Sequence, residues 1–304
     1  MYLELKQLEY FMAVCQELHF TRAAEKMGIA QPSLSQQIRL LEHELGTPLF
    51  DRVGKKVVMT DAGRALRHHC YNAFHELAQA KAAIGELQGL QRGSLKIGAL
   101  LTVVNSLLPP SVVAFHERYP NVELSVLGLR TGDIRDGLLR NELDLGIVYL
   151  PMDDEQLETI PLYTERLAFA FAKDHPIAED PEAASLTMLQ RYPCILLPPA
   201  YNLRQRINQQ CQTLGFVPKP VMEMTTLESI LTMVSQGVGV TVLPKSYVDC
   251  LNPPNIVSVP IENPALPIRI GIAYRKNKHL CAASRVFMDQ LLSARGRAGE
   301  DRTT

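Results

Sequence analysis

The sequence predicts an α/β protein assembled in three parts. Short amphipathic helices followed by a basic hairpin occupy residues 1–60. Apolar residues then recur by threes and fours over residues 61–90, the pattern of one long helix. From Gly93 the texture changes to strand–helix alternation: LKIGAL, VELSVL, LDLGIV, LAFAFA, CILL, GVTVL and IRIGIAY, with helical stretches between many of them. Such alternation points to α/β architecture with largely parallel sheets. The length, 304 residues and 33.9 kDa, suits two or three domains. Apolar residues make up 46% and charged residues 21%, which excludes a disordered chain. No apolar run reaches the roughly 18 residues that span a bilayer. The start, MYLELKQLEYFMAV, carries two glutamates and lacks the plan of a signal peptide, so a cytoplasmic protein without membrane partners is expected. The six cysteines are scattered without a CxxC pair, which argues for buried free thiols over a disulfide framework or structural zinc.

Leu8, Phe11, Met12 and Cys15 have helical spacing and place a first helix over 5–17. Thr21 is a suitable N-cap for a second, Arg22 to Met27, which Gly28 ends by taking positive φ. A third helix opens at Gln31-Pro32 and stops at Gly46, with Pro48 beyond. At ~100° per residue, Leu34, Ile38, Leu41 and Leu45 form one apolar stripe. Pro32, Ser35, Gln36, Arg39 and His43 lie opposite, with Ser33 and Gln37 flanking. Two short helices on a tight turn, the second with a small polar outer face, make a helix-turn-helix. Ser and Gln exchange hydrogen bonds with base edges in a major groove.

PLFDRVGKKVVMT then sets Arg52, Lys55 and Lys56 around Gly54, a β-hairpin with a cationic tip suited to phosphate. Net charge does not mark this part, since residues 1–90 hold 10 Lys+Arg and 10 Asp+Glu. Placement has to do so. FxxV, FTRAAEKM, QPSLSQQIRxLExELGxPLFDR and TxAG together resemble the winged helix-turn-helix of LysR-type transcriptional regulators, over about 60 continuous residues. The resemblance implies a DNA-contacting set of Thr21, Gln31, Pro32, Ser33, Ser35, Gln36, Arg39, Arg52, Lys55 and Lys56.

Thr60-Asp61 caps the long helix, with Asp61 at the positive end of its dipole. Leu66, Cys70, Ala73, Leu77, Ala80, Ile84 and Leu87 form a coiled-coil seam. A rod of ~40 Å outreaches a small winged helix, so a partner helix is expected. The resemblance agrees: in this family the linker helix pairs subunits into homodimers that assemble to homotetramers. His68, His69, Cys70 and His75 point in different directions on a helix and make no metal site.

The C-terminal texture matches the same family's effector domain and resembles two α/β subdomains of the periplasmic-binding-protein type. The expected bounds are 1–60 for the winged helix-turn-helix and 61–90 for the linker. The effector domain takes 91–304, with subdomain I at 91–162 and 267–304 and subdomain II at 163–266. Ligands of such folds sit in the cleft, at strand ends and helix N-termini that favour anions. Thr102 falls between a strand end and a helix start, and Thr131 opens another helix. Both match effector-site positions of the family, with Leu101 and Val103 flanking the first. Tyr149 follows the LDLGIV strand, Leu203 and Arg204 open a helix, and Thr225 and Thr226 precede one. Arg204 is the expected counter-charge for an anionic ligand.

VSQGVGVTVLP contains GxG, but a helix precedes it and the third glycine is missing, which excludes a dinucleotide fingerprint. No Walker sequence, HExxH or GxSxG occurs. Cys194 and Cys211 differ in spacing and context from the peroxide-sensing pair of one branch of the family. The expected function is sequence-specific binding of operator DNA under control of a small-molecule effector, an organic anion, without enzymatic activity, metal or cofactor. The alternative, a solute-binding protein related to transport, accounts for residues 91–304 alone.

Overall fold

The computed structural model describes residues 3–53, 56–86, 93–179, 185–262, 265–276, 278 and 280–300. They form two compact units, divided at Lys81/Ala82.

The first unit opens with α1 (Leu5–Glu17), α2 (Phe20–Lys26) and α3 (Gln31–Leu45). Gln7 completes a capping box with Glu4, and its amide reaches Gln37 Oε1 at 3.5 Å, tying α1 to α3. Helix α2 starts two residues earlier than Thr21 predicts: His19 is its N-cap and Thr21 lies exposed in the first turn. The reason is tertiary. Phe20 is drawn into the helix by an edge-on contact with Phe50, centroids 5.9 Å apart. Gly28 takes φ +67° between α2 and α3, a conformation that costs a residue with a Cβ about 1 kcal/mol or more. Phe11, Val14, Ala23, Leu34, Ile38 and Leu41 form the core.

Strands β1 (Phe50–Val53) and β2 (Lys56–Met59) pair antiparallel, with Phe50 opposite Met59 and Val53 opposite Lys56. Glu42 Oε1 accepts from the amides of Leu49 (2.8 Å) and Phe50 (3.3 Å), anchoring this wing to α3. Thr60 Oγ1 donates to Pro48 O and accepts from Gly63 N at 3.0 Å, capping α4 (Asp61–Glu86).

The seam on α4 departs from the expectation of one continuous partner face. Leu66 packs on the unit's own core, and Cys70 belongs to it at 1% exposure. Ala73, Leu77 and Ala80 are exposed. The first turns of the helix close the winged unit, and a free stripe begins only beyond them. Ile84 has only its backbone described, and Leu87 lies outside the described residues.

The second unit has two lobes. Lobe I runs β3 (Gly93–Leu100), α5 (Leu101–Ser106), α6 (Leu108–Arg118), β4 (Val122–Leu129), α7 (Thr131–Leu139) and β5 (Leu145–Tyr149). Strand β6 (Leu157–Ala172) leads into lobe II: α8 (Met188–Arg191), β7 (Ile195–Leu196), α9 (Asn202–Thr213), β8 (Met222–Glu223), α10 (Leu227–Ser235), β9 (Thr241–Pro244), α11 (Lys245–Leu251) and β10 (Ile256–Pro260). Strand β11 (Pro267–Arg275) returns to lobe I, followed by α12 (Ala282–Glu300).

Strand β3 pairs parallel with β4 and β5. Contrary to the expected largely parallel sheet, β6 is antiparallel to each of its partners: its first part pairs with β11, its last part with β9 and β10. One strand goes out and the other comes back, so adjacent connecting strands must run in opposite directions. The register of β6 against β11 slips between Ile270 and Gly271, where Leu162 is the extra residue. Pro161, which has no N–H to give to a ladder, sits at this bulge. No described helix is long and apolar enough to cross a membrane.

Candidate functional site

In the first unit, the buried stripe of α3 consists of Leu34, Ile38 and Leu41, with Leu45 half-buried. Pro32, Ser33, Gln36 and Arg39 are exposed on its outer side. Ser33, Gln36 and Arg39 form no side-chain hydrogen bond within the described residues, so their donors and acceptors remain available. Gln31 Nε2 donates to Ser35 Oγ at 2.8 Å, which presents those two as a coupled pair. Gln37 is turned inward to Gln7. For Arg52 and Lys56 the backbone of the wing is described, whereas Lys55 lies outside the described residues. Helix α3 offers glutamine, serine and arginine in the register of a groove-reading helix.

In the second unit a pocket of about 420 Å³, including its open mouth, lies between the lobes. Lobe I contributes Leu100, Leu101, Thr102, Leu129, Arg130, Thr131 and Tyr149; lobe II contributes Leu197, Tyr201, Asn202, Leu203 and Leu227. Of the expected effector residues, Leu101, Thr102, Thr131, Tyr149 and Leu203 are brought together here. The Tyr149 phenol is hydrogen-bonded to Thr102, and burial pushes its pKa up to about 12, so it is neutral at physiological pH. Thr131 Oγ1 is buried without a hydrogen-bond partner. Six leucines make the walls apolar, and two threonines, Asn202 and the phenols supply the orienting polar groups, the usual composition of a small-molecule site.

Val103, Arg204, Thr225 and Thr226 do not line this pocket. Val103 is buried in the lobe I core. Thr226 is the N-cap of α10, accepting from Ser229 N, and Thr225 is an exposed neighbour whose carbonyl accepts from Tyr201. Arg204 is the largest correction. Its side chain points into lobe II, where Nε donates to Asn208 Oδ1 (2.8 Å) and Nη1 to Leu197 O (2.8 Å) and Glu223 Oε1 (3.1 Å). One step along a helix rotates a side chain ~100°, which carries Arg204 away from the wall that Leu203 lines.

Sequence reasoning missed Leu100, Leu129, Arg130, Leu197, Tyr201, Asn202 and Leu227. Arg130 stands at the mouth, paired with Asp133 at 2.9 Å. Arg206 was missed too. It lies one turn after Asn202, on the same helix face, and that spacing was the available signal.

Two contacts bridge the lobes beside the pocket. Asn105 Nδ2 on α5 and Tyr247 Oη on α11 both donate to Glu228 Oε1 on α10, at 3.1 and 3.0 Å. Arg206 on α9 donates to Leu150 O at 3.0 Å. Cys194 and Cys211 are buried, and desolvation raises both thiols, Cys211 to about 11, which favours the protonated form at neutral pH. The GxG segment joins α10 to β9. A Cβ at Gly239 would come within 2.3 Å of Pro193 O, so the glycine there permits close backbone approach.

The family model "Bacterial regulatory helix-turn-helix protein, lysR family" matches residues 5–64, and "LysR substrate binding domain" matches residues 88–296. The HTH-type transcriptional regulator ShiR of Corynebacterium glutamicum (strain R) is 34% identical over 94% of this chain and 97% of its own. Full-length OxyR from Pseudomonas aeruginosa, a point variant, superposes with TM-score 0.75 at 29% identity, covering 96% of this chain and 95% of the other. Full-length CbnR complexed with its target DNA has the same fold at 20% identity, with TM-score 0.73 over 97% of this chain and 100% of the other.

Proposed function

Because the chain belongs to the LysR family of bacterial transcriptional regulators, DNA-binding proteins rather than enzymes, we propose that it reads its operator through the outer face of α3 and answers to a small organic anion held between the lobes of its effector domain. Gln36, Ser33 and Arg39 supply contacts to base edges, with Gln31, Pro32 and Ser35 beside them and Thr21 at the start of α2. Arg52, Lys55 and Lys56 on the wing neutralise phosphate. The exposed stripe of α4 pairs two chains, and the dimers assemble into a homotetramer in the cytoplasm.

The observation that carries the DNA reading is the polar face of α3: exposed side chains without internal partners, backed by a stripe locked into the core. The test is a gel shift against operator and nonspecific DNA at matched salt. Gln36→Ala is expected to lose discrimination more than total affinity, since a good base contact is worth ~1–3 kcal/mol. Lys55→Ala and Lys56→Ala are expected to weaken binding to every sequence and flatten the salt slope by about 0.9 per contact. An unchanged specific-to-nonspecific ratio for Gln36→Ala removes that residue from base readout.

A further inference from the structure

Behind the pocket wall, and not itself lining the pocket, stands a cation that has no carboxylate partner among the described residues. Arg206 is half-buried, and its guanidinium is held by three neutral groups. Nε donates to Asn202 Oδ1 (3.0 Å), Nη2 to Leu150 O (3.0 Å), and the guanidinium carbon lies 5.4 Å from the centre of the Tyr149 ring. Several buried or half-buried cations of this unit have carboxylates: Arg204 has Glu223, Lys278 has Asp144, Arg140 has Glu142 and Lys245 has Asp249. Among the described residues no carboxylate lies within ion-pair distance of Arg206. Its aromatic neighbour cannot supply the charge, because the Tyr149 phenol is neutral. Glu165, a buried carboxylate near Tyr149, is occupied by Ser246 and by the amide of Arg166. A desolvated charge without a partner is unfavourable, and a bound anion would offset that.

Two of the three groups that hold Arg206, Tyr149 and Asn202, line the pocket, and the unpartnered Thr131 Oγ1 lines it as well. Arg206 also spans the lobes, since it leaves α9 and grips the carbonyl that follows β5. Resting on the reading of the pocket as an effector site, we propose that Arg206 sets the charge of the effector: it selects a small molecule carrying a carboxylate over the neutral analogue of the same shape.

The test uses the full-length protein and two matched probe pairs, benzoate with benzamide and pentanoate with pentanamide, titrated by calorimetry. Wild type is expected to favour the carboxylate of at least one pair by about 10–150-fold, the range of a charge-assisted contact. Arg206→Gln is expected to bring that preference within about threefold while amide binding stays as in wild type, and Arg206→Lys to retain most of it. Thermal melts establish that each variant is folded. A preference that survives in Arg206→Gln, or a wild type that favours the amides, overturns the proposal. Silence from all four probes overturns the effector-site reading itself, and the proposal with it.

Discussion

Arg204→Ala separates a structural arginine from a ligand-binding one. The side chain is about 4% exposed, and the substitution removes three hydrogen bonds at once. Leu197 O is left buried without its donor, and Asn208 Oδ1 loses its own. Each orphaned group costs ~1–3 kcal/mol. The ion pair adds little, since the Glu223 side chain is 42% exposed and screened by water. The expected loss is therefore about 2–5 kcal/mol. A domain of this size shifts ~2–4 °C per kcal/mol, which places the fall in Tm at about 4–20 °C. Differential scanning calorimetry of the full-length protein reads this directly. Glu223→Gln serves as the control and should cost no more than about 1 kcal/mol. If Arg204→Ala melts with wild type and instead abolishes ligand binding, the assignment of Arg204 to the lobe II interior is wrong.

Leu77 is 44% exposed on α4, so Leu77→Glu should leave the melting of the single chain unchanged while sedimentation shows the assembly falling apart; a native assembly would show that this stripe is not the seam. Thr241 is fully buried with an unpartnered Oγ1, so Thr241→Val should raise stability by about 1 kcal/mol in urea unfolding, and a loss would reveal a hidden partner. Burial lowers the pKa of His175, whose Nδ1 accepts from Ile177 N. The unfolded chain therefore binds the proton more readily, and stability present at neutral pH is lost as pH falls below about 6.5 through the folded value. His175→Gln should remove that slope from Tm between about pH 7 and 5, and an identical slope in the variant would point to other groups.

The winged unit was legible in the sequence almost to the residue. The stripe of Leu34, Ile38 and Leu41, the positive φ of Gly28 and the Thr60 cap are short-range features, and local periodicity and backbone sterics determine them. The strands of the effector domain were legible where they are continuous apolar runs. The first half of β6 was not, because Pro161 and the polar residues Glu158, Thr159, Thr164 and Glu165 interrupt the apolar run, and only β11 supplies the partner that makes it a strand. Two small errors share one cause. Thr21 is the better cap by residue type, yet Phe20 must reach Phe50; Cys70 has the heptad position, yet the winged core claims it. The pocket shows the same division. Sequence placed Thr102, Thr131, Tyr149 and Leu203 near a cleft, because strand ends and helix starts are local properties. Which arginine lies against a pocket-lining side chain was decided only by how α9 packs in lobe II: a rotation of ~100° per residue sends Arg204 to Leu197 O and leaves Arg206 beside Tyr149, and nothing in the local pattern distinguishes the two.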